Sequence, residues 1–116
     1  MGILKQYWPL LLGITWFSYR WLRVKSYKKN LPELKKQGAV FIDVRTPGEF
    51  QMAHAKGSIN IPLNELAHRL QEIPKEVPIV VACASGTRSG IARLILKRHG
   101  LRNVYNLGNW SNMETP

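Results

Sequence analysis

The sequence is poor in cysteine, in acidic residues and in long uncharged stretches. Its 116 residues include one cysteine, which excludes an intramolecular disulfide framework and a multi-cysteine zinc site. Lys and Arg number 17 against 7 Asp and Glu, but 45% of the residues are hydrophobic and 21% are charged, which excludes wholesale disorder. A chain of this length suits one compact domain with a modest appendage.

The excess of positive charge lies in the first third of the chain. Residues 1–36 contain eight of the 17 basic residues and one of the seven acidic residues, so the remainder is nearly balanced. Three of the four tryptophans also lie there. This distribution indicates a leader followed by a globular domain. No base-reading motif accompanies the basic residues, so we expect no nucleic-acid partner.

The leader predicts a membrane anchor. Residues 6–19 carry no charge and would form a helix of about 21 Å, shorter than the roughly 30 Å hydrocarbon core of a bilayer. Lys5 and Arg20 can extend towards the headgroups, and Trp and Tyr suit the interface. We therefore expect a membrane-anchor helix with a basic flank at residues 1–25. The alternatives are an interfacial or domain-packing helix and a cleaved signal peptide.

The basic residues that follow the apolar run predict an orientation. Residues 26–30 would form a basic linker, and residues 31–116 the folded domain. Positive flanking residues stay cytoplasmic, so we expect a protein that crosses the cell membrane once, with its domain facing the cytoplasm. Membrane lipid is then an expected partner. A free thiol also fits a reducing compartment.

Residues 31–116 alternate short apolar strands with short helices. We expect strands at residues 39–43, 58–61, 78–82 and 104–105, and helices at residues 32–36, 47–52, 63–73 and 89–99. Thr46 and Glu49 form a capping box at the start of the second of these helices. The alternation predicts an α/β fold, a small open parallel sheet with helices on both faces.

Cys83 stands at the carboxyl end of the most apolar strand, where open α/β sheets place their ligand sites. The small residues Ala84, Ser85 and Gly86 let the backbone curl so that several N–H groups point inward and can bind an anion. Arg88 and the N-terminus of the next helix add positive charge. A cysteine with a pKa near 8.5 is only about 3% ionised at pH 7, and this setting favours the thiolate. Cys83 is therefore a candidate nucleophile, the alternative being a small buried hydrophobic residue.

Three stretches resemble the signatures of the rhodanese-like domains. Residues 42–45, followed by Glu49 and Phe50, are similar to the first signature, and residues 54–62 are similar to the second. The C-x-x-G-x-R-S loop at residues 83–89 is similar to the catalytic loop of the family. The resemblance implies a rhodanese-like fold and a small single-domain sulfurtransferase, here preceded by a transmembrane helix.

The resemblance also implies a two-step sulfur transfer through a persulfide. A small anionic sulfur donor, thiosulfate or a persulfide, would supply sulfur to the catalytic cysteine, and cyanide or a thiol would accept it, with no metal or organic cofactor. The implied catalytic residues are Cys83 and Arg88. The implied donor-binding residues are Ala84, Ser85, Gly86, Thr87 and Arg88. The implied supporting residues are Asp43, Arg45 and Ser89, the first two in an ion-pair network with Glu49.

Two other functions remain open. Tyrosine and dual-specificity phosphatases also place Cys and Arg around an anion-binding loop, but five residues separate that pair, whereas four separate Cys83 and Arg88. A shorter ring of amides makes a smaller pocket, suited to a sulfur atom rather than a phosphate. The second alternative is a non-catalytic, membrane-tethered interaction module. Such modules often lack the cysteine that this chain retains.

Overall fold

The computed structural model describes residues 2–114. Helix α1 (Gly2–Lys29) is followed closely by helix α2 (Leu31–Lys36). The next elements are β1 (Val40–Asp43), α3 (Pro47–Met52), β2 (Ile59–Asn60), α4 (Leu63–Leu66), β3 (Ile79–Cys83), α5 (Thr87–Arg98) and β4 (Val104–Asn109). Short 3-10 turns lie at Leu70–Glu72 and Trp110–Met113.

The four strands form one parallel sheet in the order β2-β1-β3-β4. Strand β3 is central, and all five of its residues are buried, as expected for a strand covered on both faces. Its ladder with β4 shifts register between Val81 and Cys83, where Val81 pairs with Asn106 and Cys83 with Asn109, so β4 has one extra residue at this point. The sheet confirms the predicted α/β class and brings the carboxyl ends of β1, β3 and β4 to one edge.

Apolar cores lie on both faces of the sheet. Ile42 and Val81 point into one core, where they pack with Leu96 of α5. Val80 and Leu107 point into the other, where they pack with Leu31 of α2. Successive residues of a strand face opposite sides, so the continuous apolar run of β3 supplies both cores. The prediction of helices on both faces is confirmed.

The capping box forms as predicted. The Thr46 hydroxyl accepts a hydrogen bond from the Glu49 N–H at 3.3 Å, and the Glu49 carboxylate accepts one from the Thr46 N–H at 3.2 Å. The single helix predicted at residues 63–73 is wrong, because α4 ends at Leu66. The N–H groups of residues 68 and 69 bond carbonyls three residues back, so tight turns replace the α-helix. Of the three leucines whose spacing predicted the helix, Leu66 is buried, and Leu63 and Leu70 are half-buried against the same core.

The prediction of a transmembrane anchor at residues 1–25 is not supported. No helix within residues 2–114 combines the length and the apolar character needed to cross a membrane. The uncharged run of α1 is short, and its tyrosines, tryptophans and polar residues lower its mean hydropathy. Membrane lipid as a partner therefore has no support from the structure. The segment predicted as a basic linker at residues 26–30 continues α1 as far as Lys29.

The C-terminal part of α1 packs against the domain. Tyr27 meets Tyr105 of β4 edge to face, with ring centroids 5.1 Å apart, and both rings flank the core that contains Leu107. The side chain of Val24 lies beside Gly108, where a Cβ atom would sit 3.8 Å from it. These contacts place one side of α1 next to the edge of the sheet that carries Cys83.

Candidate active site

The site is the turn between β3 and α5. Strand β3 ends at Cys83, and α5 begins at Thr87. Gly86, the residue before the helix, has φ +95°, a left-handed conformation that favours glycine. This conformation reverses the chain within three residues, so the first N–H groups of α5 point back towards the end of β3.

The sulfur of Cys83 lies inside this ring of donors. The Gly86 N–H donates to Sγ at 2.8 Å, and the Ser89 hydroxyl lies 3.4 Å from Sγ. Burial alone would raise the pKa of Cys83, but hydrogen bonds from the Ser89 hydroxyl and from the N–H groups of Ser89, Gly86 and Ser85 outweigh it and lower the pKa. The loop therefore favours the thiolate, the form that acts as a nucleophile.

Arg88 lies beside the loop but pairs with a carboxylate. Its Nη1 and Nη2 donate to the two Glu49 oxygens at 2.7 and 3.0 Å, a bidentate contact. The Arg88 hydrogen bonds, with help from the Thr46 N–H, lower the pKa of Glu49 to about 2. We expected the positive charge of Arg88 to favour the thiolate; the hydrogen bonds to the sulfur come from the Gly86 N–H and the Ser89 hydroxyl. The roles of Arg88 in catalysis and donor binding stay predictions.

The other predicted donor-binding residues form the rim of the loop. Ala84, Ser85 and Thr87 are exposed, whereas Gly86 and Cys83 are buried, Cys83 to 0% exposure. A molecule that reacts with the sulfur must therefore displace part of this rim. The binding roles of the rim residues stay predictions.

Asp43 and Arg45 form a buried ion pair at the end of β1. Arg45 Nη2 lies 2.7 Å from Asp43 Oδ2, and the two side chains are 6% and 0% exposed. Arg45 also donates to the carbonyl of Ala53 at 2.6 Å and lies 4.9 Å from the ring centre of Trp110. The pair joins β1 to the segments after α3 and β4. The supporting role of both residues in the site stays a prediction. Glu49 pairs with Arg88 instead of joining this pair.

Sequence reasoning missed two asparagines of β4 that hold the loop. Asn106 accepts from the Ser89 hydroxyl at 2.6 Å and donates to the Gly86 carbonyl at 3.2 Å. Asn109 donates to the Ala84 carbonyl at 2.8 Å. A signal was present: amides placed within a strand next to β3 in the sheet need polar partners there.

The described geometry defines a class of protein: a parallel α/β domain with a lowered-pKa cysteine in a turn between a strand and a helix. The profile of the family described as "Rhodanese-like domain" matches residues 25–112. The chain belongs to the rhodanese-like domain family.

Individual relatives agree with this family. The chain is 38% identical over 78 residues to thiosulfate sulfurtransferase PspE of Escherichia coli, a match that covers 66% of this chain and 75% of that protein. It is 42% identical over 69 residues to the uncharacterized protein YqhL of Bacillus subtilis, which covers 60% of this chain but only 55% of YqhL. Among solved structures, it resembles "rhodanese with anions from E. coli" with a TM-score of 0.62 and 36% identity, over 67% of this chain and 94% of that one.

Proposed function

We propose that the protein is a sulfurtransferase that carries sulfane sulfur as a persulfide on Cys83. The observation that supports this most is the pair of donors at the sulfur, the Gly86 N–H at 2.8 Å and the Ser89 hydroxyl at 3.4 Å. Relatives named thiosulfate sulfurtransferase support the same general activity. Thiosulfate or a persulfide as donor, and cyanide or a thiol as acceptor, are part of the proposal.

In the first step the Cys83 thiolate attacks the outer sulfur of the donor. A bond forms between Sγ and that sulfur while the sulfur–sulfur bond of the donor breaks. With thiosulfate, sulfite leaves with the electron pair and Cys83 becomes an anionic persulfide. The donor reaches Sγ when part of the exposed rim at Ala84, Ser85 and Thr87 is displaced, because Cys83 itself is fully buried. N–H groups aimed into the loop stabilise negative charge on either sulfur.

In the second step a nucleophile attacks the terminal sulfur of the persulfide. Cyanide would leave as thiocyanate and a thiol as a new persulfide, and Cys83 departs as the thiolate that began the cycle. Because the same donors hold the thiolate and the persulfide, the loop needs little rearrangement between steps. Arg88, held by Glu49, contributes positive charge at the start of α5 in this proposal.

The alternative is a non-catalytic interaction module, without the membrane tether first expected for it. Such a module would bind a partner through its surface, and the Cys83 thiol would have no catalytic role. Steady-state formation of thiocyanate from thiosulfate and cyanide by the full chain separates the two. The sulfurtransferase should turn over, and Cys83→Ser should abolish turnover while the thermal unfolding temperature is kept. Equal rates for the two proteins would favour the module.

The cellular location is a separate question from this chemistry. A location at the cell membrane with the domain facing the cytoplasm stays a prediction. Fractionation of cells that produce the full chain tests it, and recovery of the whole protein without detergent would contradict it.

A further inference from the structure

Helix α1 brings a second arginine to the loop. Arg20 Nη2 donates to the carbonyl oxygen of Ser85 at 2.6 Å, a contact between residues 65 positions apart in the chain. The guanidinium also lies 5.2 Å from the ring centre of Trp16, one helical turn earlier, which limits its orientation. A hydrogen bond from a charged donor is stronger than one between two neutral groups.

The carbonyl that Arg20 binds belongs to the peptide that serves the sulfur. The Ser85 C=O and the Gly86 N–H are the two ends of one planar peptide unit, and that N–H donates to Cys83 Sγ at 2.8 Å. A cation at the oxygen draws electron density away from the nitrogen, so the N–H becomes a better donor. It also resists rotation of the peptide, which would turn the N–H away from the sulfur.

The approach of Arg20 depends on a glycine at position 86. A Cβ atom there would lie 1.7 Å from Arg20 Nη2 and 2.9 Å from its Cζ. The absent side chain of Gly86 thus leaves the space that the guanidinium occupies. The same residue needs its left-handed conformation to form the turn.

Arg20 differs in its ion pairing from other charged residues near the loop. Arg88 of α5 is paired with Glu49 of α3, and Asp43 of β1 is paired with Arg45. Arg23 of α1 and Arg93 of α5 line the adjoining cavity of about 350 Å³, together with Arg20. Among the ion pairs of residues 2–114, none involves Arg20, so its guanidinium is not paired with a carboxylate of that range.

We propose that Arg20 is a positioning residue for the Cys83 thiolate: it binds the Ser85–Gly86 peptide from the carbonyl side and keeps its N–H aimed at the sulfur. The leader helix thereby becomes part of the active site. This inference deepens the proposed sulfurtransferase, since it names the residue outside the loop that prepares its nucleophile.

The test is the rate at which iodoacetamide, a neutral reagent, alkylates Cys83 as a function of pH. Cys83 is the one thiol of the full chain. Arg20→Gln should move the midpoint of the rate profile upward by about half a pH unit, so that the rate well below the midpoint falls about three-fold. Arg20→Lys keeps the charge and a donor, and should restore at least half of the lost rate. Arg20→Ala, another good helix former, provides a second measurement of the same shift.

The matched control is Arg23→Gln, on the same helix. Arg23 donates to the hydroxyls of Tyr27 and Tyr19 and has no hydrogen bond to the loop, so this variant perturbs the helix without touching the peptide. It should keep the wild-type profile. Folded Arg20 variants with the wild-type profile, or a Lys variant as slow as the Gln variant, would overturn the proposal. Alkylation needs no sulfur donor, so this result is independent of whether the persulfide forms.

Discussion

Removal of the Ser89 hydroxyl should make the Cys83 thiol measurably less acidic. Ser89 is fully buried, and its Oγ lies 3.4 Å from Cys83 Sγ and 2.6 Å from Asn106 Oδ1. A hydrogen bond to a charged acceptor contributes about 1.5–3 kcal/mol, and we take the lower end because Asn106 competes for the same proton. Since one pKa unit corresponds to about 1.4 kcal/mol, Ser89→Ala should raise the pKa of Cys83 by about one unit.

The direction of this pKa shift determines how the alkylation rate should change with pH. A higher pKa means that the thiolate appears at higher pH, so alkylation of the variant should be about ten-fold slower well below both midpoints. Above both midpoints the two proteins should react equally, because both are then ionised. The assay is the rate of iodoacetamide alkylation of the full chain across pH, followed by mass spectrometry.

Ser58→Ala is the matched control for this prediction. The Ser58 hydroxyl is part-buried and donates to the Ala55 carbonyl at 2.6 Å, so its loss also removes one hydrogen bond but leaves the loop intact. Its alkylation profile should match that of the wild type. A folded Ser89→Ala protein with an unchanged midpoint would refute the view that this hydroxyl stabilises the thiolate.

Two further predictions concern the support of the loop. Asp43→Asn leaves the buried Arg45 without its counter-charge and should lower the free energy of unfolding in urea by about 3–5 kcal/mol; a loss below about 1 kcal/mol would contradict the burial argument. Gly86→Ala and Gly100→Ala both force alanine to a positive φ, +95° and +91°, at about 1–2 kcal/mol each. A Cβ at position 86 would also lie 3.1 Å from Gly108 Cα, whereas position 100 is open. Gly86→Ala should therefore lower the free energy of unfolding more than Gly100→Ala does, and should also slow alkylation of Cys83. Equal losses of unfolding free energy with equal alkylation rates would contradict this contact.

Features set by neighbouring residues were predictable from the sequence. The capping box needs only Thr46 and Glu49, three positions apart, and the structure contains it. Cys83 at the end of β3 and Gly86 before α5 follow from an apolar run and a short loop in one segment. Each depends on local backbone geometry, which one stretch of sequence specifies.

Features that join distant segments were not predictable. The pairing of Arg88 with Glu49, 39 positions away, and the contact of Arg20 with Ser85 depend on how helices pack around the sheet. An amide within a strand, such as Asn106, weakly indicates a polar contact. Its partners can be identified only once β4 is known to lie beside β3. The spacing of apolar residues indicates which residues are buried but does not determine where a helix ends. For this reason we predicted a longer helix than α4.

The most direct test of the central claim is the intact mass of the full chain after incubation with a sulfur donor, thiosulfate or a persulfide, followed by cyanide. We predict a species one sulfur atom heavier that returns to the original mass with cyanide and that Cys83→Ser never forms. A protein that gains no sulfur from either donor, while Cys83 still reacts with iodoacetamide, would contradict the proposed transfer.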